Sequence, residues 1–126
     1  MVQTVTWKDV EQQGNPLLSP AVKSTGHVFT SGCLGTDKNG KIPESLVEQT
    51  ENAIRNLQKV LETSGSSLDK VLKVLLFISD ASFVGEVNKV HGKYFKSKPS
   101  RSCVVDGFPT KAVKVDIECV AELLTL

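Results

Sequence analysis

The chain has 126 residues, of which 40% are hydrophobic and 23% charged, and its 15 basic and 14 acidic residues leave a net charge of +1. This length and balance are typical of one globular domain, expected to span residues 1–126, that buries its own core without metal or disulfide staples. No block of like charge is present, which argues against a surface for nucleic acid or for an anionic membrane.

Cysteine and histidine usage bears on compartment and on metals. The cysteines Cys33, Cys103 and Cys119 form no C-x-x-C pair, and we expect a reducing compartment. Residues 1–9 lack the apolar region of a signal peptide and the Arg-rich composition of a transit peptide, so a cytoplasmic location is expected. Neither His27 nor His91 has a Cys, Asp or Glu at ligand spacing, so no metal site is expected.

The first predicted elements are a strand and a helix. The strand covers residues 27–31, is rich in β-forming residues and closes at Gly32, with Val22 in its hairpin partner. The helix begins after Ser45, which with Glu48 has the spacing of a capping box, and it ends near Gly65. Its core face is predicted from hydrophobic recurrence at helical spacing: Val47, Thr50, Ala53, Ile54, Leu57, Val60 and Leu61.

A buried strand and a second helix are predicted next. Residues 71–78 form an apolar run broken only by Lys73, which is typical of a buried strand and far too short to span a bilayer. The second helix is predicted over residues 81–95. Its core face contains Phe83, Val87, Val90 and Tyr94.

Two strands complete the chain, over residues 101–105 and 112–122. The resulting order β-β-α-β-α-β-β predicts an α+β fold, in which a mixed sheet of five to six strands carries two helices on one face. The other face, expected to include Val120 and Cys103 among charged residues, suits burial by copies of the chain better than exposure to water.

Arg101, Asp116 and Glu118 are the first candidates for chemistry. Arg101 begins a strand, and the two carboxylates alternate onto the polar face of the last strand. If these strands pair, the three side chains share a face. Two interpretations are open: a site where the guanidinium binds a ligand carboxylate, and a structural salt bridge across paired strands, which the spacing alone favours.

Weaker candidates have simpler structural explanations. Cys103 shares a strand face with Arg101 and has the chemistry of a thiol nucleophile, but a small buried hydrophobe is favoured. The Ser31 hydroxyl and the Gly32 backbone suit a small ligand, although a strand-end turn explains them too. Asn88 is expected to be solvated on its helix, and His91 to be a half-buried helix histidine.

Several stretches together resemble the Rid family, the YjgF-type reactive-intermediate deaminases, also called the endoribonuclease L-PSP family. The most specific are the elements P-S-R-S-C-V at residues 99–104 and V-D-I-E-C-V-A at residues 115–121. Weaker matches occur at residues 30–32, 71–80, 83 and 87–88, so the resemblance covers nearly the whole chain.

The resemblance implies a chorismate-mutase-like fold and a homotrimer with clefts at the subunit interfaces. It also implies hydrolysis of 2-enamino and 2-imino acids, such as 2-iminobutanoate and 2-iminopropanoate, to 2-keto acids and ammonia without a cofactor. Arg101 would hold the substrate carboxylate, and Asp116 and Glu118 match the acidic positions that would act on water. The matching substrate-binding positions that line the cleft are Ser31, Gly32, Asn88 and Cys103.

The chain also departs from the family pattern. Leu18 stands where a cleft tyrosine is often found, and Asp116 stands where the family usually has the longer Glu. These departures leave a non-catalytic trimeric binder of small carboxylates as the alternative function. An RNA-directed translation inhibitor is a further alternative, which the near-neutral charge disfavours. Family members occur in the cytosol and in mitochondria, so the resemblance is compatible with either location.

Overall fold

Seven strands form one mixed sheet in a computed structural model that describes residues 1–124. The predicted domain also includes Thr125 and Leu126, which lie outside the described residues. The strands are β1 (Gln3–Val5), β2 (Ala21–Ser24), β3 (His27–Thr30), β4 (Cys33–Leu34), β5 (Val71–Ile78), β6 (Ser100–Val105) and β7 (Val115–Glu122). The α-helices are α1 (Trp7–Val10), α2 (Leu46–Ser64) and α3 (Val84–Tyr94).

The strand order is β1-β2-β3-β7-β5-β6, and β4 also pairs with β7. Only β5 and β6 are parallel among these pairs; the others are antiparallel. The predicted α+β class with a mixed sheet is therefore confirmed. The sheet has seven strands rather than five or six because the short strands β1 and β4 were not predicted.

The long helix α2 begins and ends where the sequence predicts. The Ser45 hydroxyl accepts a hydrogen bond from the Glu48 backbone N–H at 3.2 Å, and Gly65 ends the helix with φ at 91°. One part of the predicted core face is wrong: Val47 is 39% exposed, whereas Gln49 is fully buried. Gln49 is tolerated there because its side-chain amide pairs with backbone groups of neighbouring loops.

The core lies between the helices and one face of the sheet. The predicted alternation of the last strand is confirmed, since Val115, Ile117, Cys119 and Ala121 are all buried. Leu76 of β5 and Val87 of α3 meet Ile54 of α2 above this face. Both long helices therefore cover the same side of the sheet, as predicted. The strand itself begins at Val115 rather than at residue 112.

The opposite face of the sheet, called the open face below, consists of the residues that alternate with this core. Val120 of β7 is paired with Phe29 of β3 and with Lys73 of β5, and Phe29 is 48% exposed. Val120 therefore lies on the open face as predicted, but Cys103 does not, because it pairs with the buried Leu76 on the helix side. Within residues 1–124, no helix is long and apolar enough to cross a membrane.

Candidate functional site

Arg101 projects from the edge of the sheet toward the helices. Its strand β6 pairs with β5 alone, and Arg101 lies opposite Val74, which is fully buried on the helix side. Because paired residues in a sheet share a face, the half-buried Arg101 lies on the same side as α3. Burial, together with the positive charge of Arg101, lowers the pKa of His91 on α3 to about 4.

Asp116 lies on the open face. It is paired with Phe77 of β5 and with Leu34 of β4, in the middle of the sheet. Its carboxylate rests directly against the backbone of Gly32, where any Cβ atom would overlap the carboxylate oxygens. Gly32 is therefore the residue that permits this close approach.

The Asp116 carboxylate is electrostatically unusual. Its Oδ1 atom is buried and has no hydrogen-bond partner among the described residues. Burial, together with the negative charge of Glu118, raises the pKa of Asp116 to about 6. A carboxylate that exchanges its proton close to neutral pH is suited to general acid–base chemistry.

One chain does not bring Arg101 together with the two carboxylates, contrary to the pairing considered above. Strand β5 separates β6 from β7, and Asp116 and Glu118 lie on the face of the sheet opposite to Arg101. The interpretation as a structural salt bridge is equally wrong, since the one ion pair among residues 1–124 joins Lys59 to Glu11. These candidate residues thus form two half-sites on opposite sides of the sheet: Arg101 on the helix side, and Asp116 with Glu118 on the open face.

The remaining candidates divide between these half-sites. Asn88 is exposed on α3, as predicted, and Cys103 follows Arg101 on the helix side of β6. The prediction of Cys103 as a buried hydrophobe is wrong: the thiol is exposed because β6 is an edge strand. Ser31 immediately precedes Gly32, and its hydroxyl donates to the backbone oxygen of Ser19 at 2.6 Å, which holds the preceding loop.

The buried thiols are poor nucleophiles. Burial raises the pKa of Cys119 to about 12 and also raises that of Cys33. The backbone N–H of Cys119 donates to the Thr30 hydroxyl at 3.1 Å, which joins β7 to the end of β3. Within the described part of the chain, no group of three or more His, Cys, Asp or Glu side chains has the arrangement of a metal site.

An anchor for the loop that contains Leu18 was missed in the sequence. The indole N–H of Trp7 donates to the backbone oxygen of Leu18 at 3.0 Å, and Leu18 itself is 55% exposed. Trp7 is held by α1, which is capped reciprocally by Thr6 and Asp9. The signal was present as a Thr and an Asp three residues apart, Thr6 before and Asp9 within a helix of only four residues.

Comparison with known proteins identifies the family. The family model described as Endoribonuclease L-PSP matches residues 14–123. This chain belongs to that family, also known as the Rid or YjgF family. Among relatives, Protein mmf1, mitochondrial, of Schizosaccharomyces pombe is 42% identical over 106 residues, which are 80% of this chain and 65% of that protein.

Two further similar proteins bear on function. Reactive Intermediate Deaminase A, chloroplastic, of Arabidopsis thaliana is 37% identical over 109 residues, covering 83% of this chain and 58% of that protein. The crystal structure of E. coli TdcF with bound serine has a TM-score of 0.85 and 25% identity, and the match covers 95% of this chain and 98% of that one. Membership in a family with a deaminase-named relative indicates an enzyme-like role for this Rid protein.

Proposed function

We propose that this Rid protein hydrolyses reactive 2-imino and 2-enamino acids, such as 2-iminobutanoate and 2-iminopropanoate, to 2-keto acids and ammonia without a cofactor. The observation that carries the proposal is Asp116, a largely buried carboxylate whose pKa is raised to about 6 and whose Oδ1 atom has no partner among residues 1–124. The deaminase name of the Arabidopsis relative supports the same reaction.

The proposed chemistry uses a guanidinium and a carboxylate. Arg101 binds the substrate carboxylate with two parallel N–H donors, which fixes the C2 atom relative to the protein. Ionised Asp116 accepts a proton from a water molecule as the water oxygen bonds to C2 of the iminium. Asp116 then returns the proton to the amine, the C–N bond breaks, and the hydroxyl proton leaves with the ammonia as ammonium, giving the 2-keto acid.

This mechanism needs more than one copy of the chain. Arg101 and Asp116 of one chain face opposite sides of the sheet, so the Arg101 side chain of a neighbouring copy must reach the open face. A contact between two different surfaces is heterologous, and heterologous contacts form a closed ring when the rotation between successive copies closes. We therefore propose a homotrimer with three clefts, in which Phe29 and Val120 of the open face become covered.

The reaction is tested by generating 2-iminobutanoate with a threonine dehydratase and following its loss. Wild-type protein is expected to accelerate hydrolysis over buffer. Arg101→Ala is expected to lose roughly 100-fold in kcat/KM, because two charge-assisted hydrogen bonds are removed. The matched control is Lys96→Ala, which removes an exposed cation before β6 and leaves the rate unchanged. No acceleration by the wild type contradicts the proposal.

A second candidate is a binder of small carboxylates that performs no turnover. It is favoured by the serine bound in the E. coli TdcF structure and by the short Asp116 side chain, which holds its carboxylate one methylene nearer the sheet than a Glu would. Calorimetric titration with 2-oxobutanoate separates the two candidates. Saturable binding without accelerated imine loss supports the binder, whereas binding with turnover supports the deaminase.

A location in the cytoplasm or in mitochondria belongs to the same proposal. The Schizosaccharomyces pombe relative is named mitochondrial. Fractionation of cells with an antibody to this chain tests the assignment, and recovery of the protein in a secreted fraction contradicts it.

A further inference from the structure

A polar cleft of about 750 Å³ lies outside both half-sites. It is enclosed by the end of α1, the outer side of α2 and the turn at residues 37–40. This volume is in the range of small-molecule sites. Its lining includes none of Arg101, Asp116, Phe29 and Val120, the residues that the proposed trimer brings to its interfaces.

Three cations line the cleft. Arg55 and Lys59 are one turn apart on α2, and Lys38 extends from the turn. Lys59 is paired with Glu11 at 3.2 Å. Within residues 1–124, the side chains of Arg55 and Lys38 make no ion pair or hydrogen bond.

The second carboxylate in the cleft, Asp37, is held by the turn that also carries Lys38. Asp37 accepts hydrogen bonds from the backbone N–H groups of Asn39 at 2.8 Å and Lys41 at 2.9 Å. These bonds, led by the one from Lys41, hold the pKa of Asp37 below its usual range. Its negative charge also interacts with that of Lys38, so the three cations and two carboxylates of the cleft leave one net positive charge, and Arg55 has no acidic partner among residues 1–124.

The walls of the cleft are held in place before any ligand binds. The Gln12 amide donates to the Asn56 backbone oxygen at 3.3 Å, and the Asn56 amide donates to the backbone oxygens of Leu34 at 2.9 Å and Thr36 at 3.0 Å. Glu11 adopts a left-handed conformation with φ at 60°, which is uncommon for a residue with a side chain and turns the chain into the cleft wall. A preformed site loses less entropy on binding.

We propose that this cleft binds a small phosphorylated metabolite with a hydroxyl-bearing body. A phosphate monoester offers three acceptor oxygens, which suit the planar N–H donors of Arg55 together with the ammonium group of Lys38. The amide side chains of Gln13 and Asn39 line the same cleft and suit hydroxyl groups. The inference does not depend on the deaminase reaction.

Calorimetric titration of the full chain with ribose 5-phosphate, inorganic phosphate and ribose tests the proposal. Ribose 5-phosphate is expected to bind saturably, and ribose without the phosphate is not. Arg55→Gln and Lys38→Gln are each expected to weaken binding by roughly tenfold, since each removes a charge-assisted contact. Lys89→Gln removes an exposed lysine on α3 and is expected to leave the affinity unchanged.

Two outcomes overturn the proposal. One is the absence of saturable binding of ribose 5-phosphate in the millimolar range at low salt. The other is equal weakening by Lys89→Gln, which indicates diffuse attraction to surface charge. Backbone NMR locates the ligand independently of any variant: shifts are expected at Asn39 and Gly40 of the turn, and shifts confined to α3 contradict the assignment.

Discussion

At the scale of single residues, the proton on Asp116 decides the pH dependence of the proposed reaction. The base must be ionised, so kcat/KM is expected to fall as the pH drops below about 6, the raised pKa of Asp116. Glu118→Gln removes the negative charge that contributes to this raised pKa, and the acidic midpoint is expected to move to lower pH. Glu122→Gln, at the exposed end of β7, serves as the control. An unmoved midpoint in Glu118→Gln contradicts the role of Asp116 as base.

Gly32 gives a second prediction at this scale. A methyl group at Gly32 would occupy the position of the Asp116 carboxylate, and displacing a catalytic group by about 1 Å can cost roughly 100-fold in rate. Gly32→Ala is therefore expected to reduce kcat strongly while the chain still folds. Gly107→Ala is the matched control, because a Cβ there meets open space, and its kcat is expected to equal that of the wild type. Wild-type kcat in Gly32→Ala contradicts the prediction.

The sequence indicated which residues are candidates for chemistry better than it indicated the face of the sheet on which each of them lies. The alternation of β7 correctly separated Asp116 and Glu118 from the buried Val115 and Ile117. The face of Arg101 was not predictable in the same way, because β6 is an edge strand whose exposed residues show no alternation. Because successive side chains of a strand point to opposite faces, alternation shows which residues of one strand share a face, but not which face that is. Only the pairing with Val74 assigns Arg101 to the helix side.

At the scale of elements, length governs what the sequence predicts. The helix α2 and the strands β5 and β7 have enough residues for a periodic pattern. Strand β4 has two residues, and α1 has four, so neither produces one. The crossover from β5 through α3 to β6 gives a parallel pair, a connection long enough to contain a helix. The requirement for a long connection between parallel strands predicts that β5 is the neighbour of β6, whereas the alternation of either strand does not.

Gln49 links α2 to the start of β7 and gives the prediction for elements. Its amide nitrogen donates to the backbone oxygens of Pro43 at 2.7 Å and Ala112 at 2.9 Å, and its oxygen accepts from the Lys114 N–H at 2.9 Å. Gln49→Leu leaves these partly buried backbone groups without their partner and is expected to lower the free energy of unfolding by about 2–4 kcal/mol, measured by urea denaturation.

A second glutamine on the same helix is the control for this prediction. Gln58 is half-buried and its amide contacts only the Glu62 side chain, at 3.2 Å. Gln58→Leu is expected to change the free energy of unfolding by less than about 0.5 kcal/mol. Equal effects of the two variants would mean that hydrophobic substitution on α2, rather than loss of the buried hydrogen bonds, sets the stability.

At the scale of the whole molecule, the two half-sites make a prediction about mixtures of variants. Arg101→Ala retains Asp116, and Asp116→Asn retains Arg101, so each variant alone is expected to be inactive. If each cleft takes these residues from two different copies, mixed trimers contain some clefts with both. When the two chains assort at random in equal amounts, each of the two positions in a cleft is filled by the suitable variant about half of the time. About one quarter of the clefts therefore contain both Arg101 and Asp116. The variants are mixed under partial denaturation, refolded together and assayed for loss of 2-iminobutanoate.

The control for this experiment mixes Arg101→Ala with a double variant that carries Arg101→Ala and Asp116→Asn. No cleft in that mixture contains Arg101, so no activity is expected, and any recovery there would come from the treatment itself. The experiment also separates two explanations of an inactive Arg101→Ala variant. A misfolded chain cannot supply Asp116 to its neighbour, whereas a folded chain lacking only the guanidinium restores activity. Arg101 and Asp116 of one chain lie on opposite sides of the sheet, and a cleft shared between copies is the arrangement that would bring them together. Absence of recovered activity in mixtures that form trimers contradicts that arrangement.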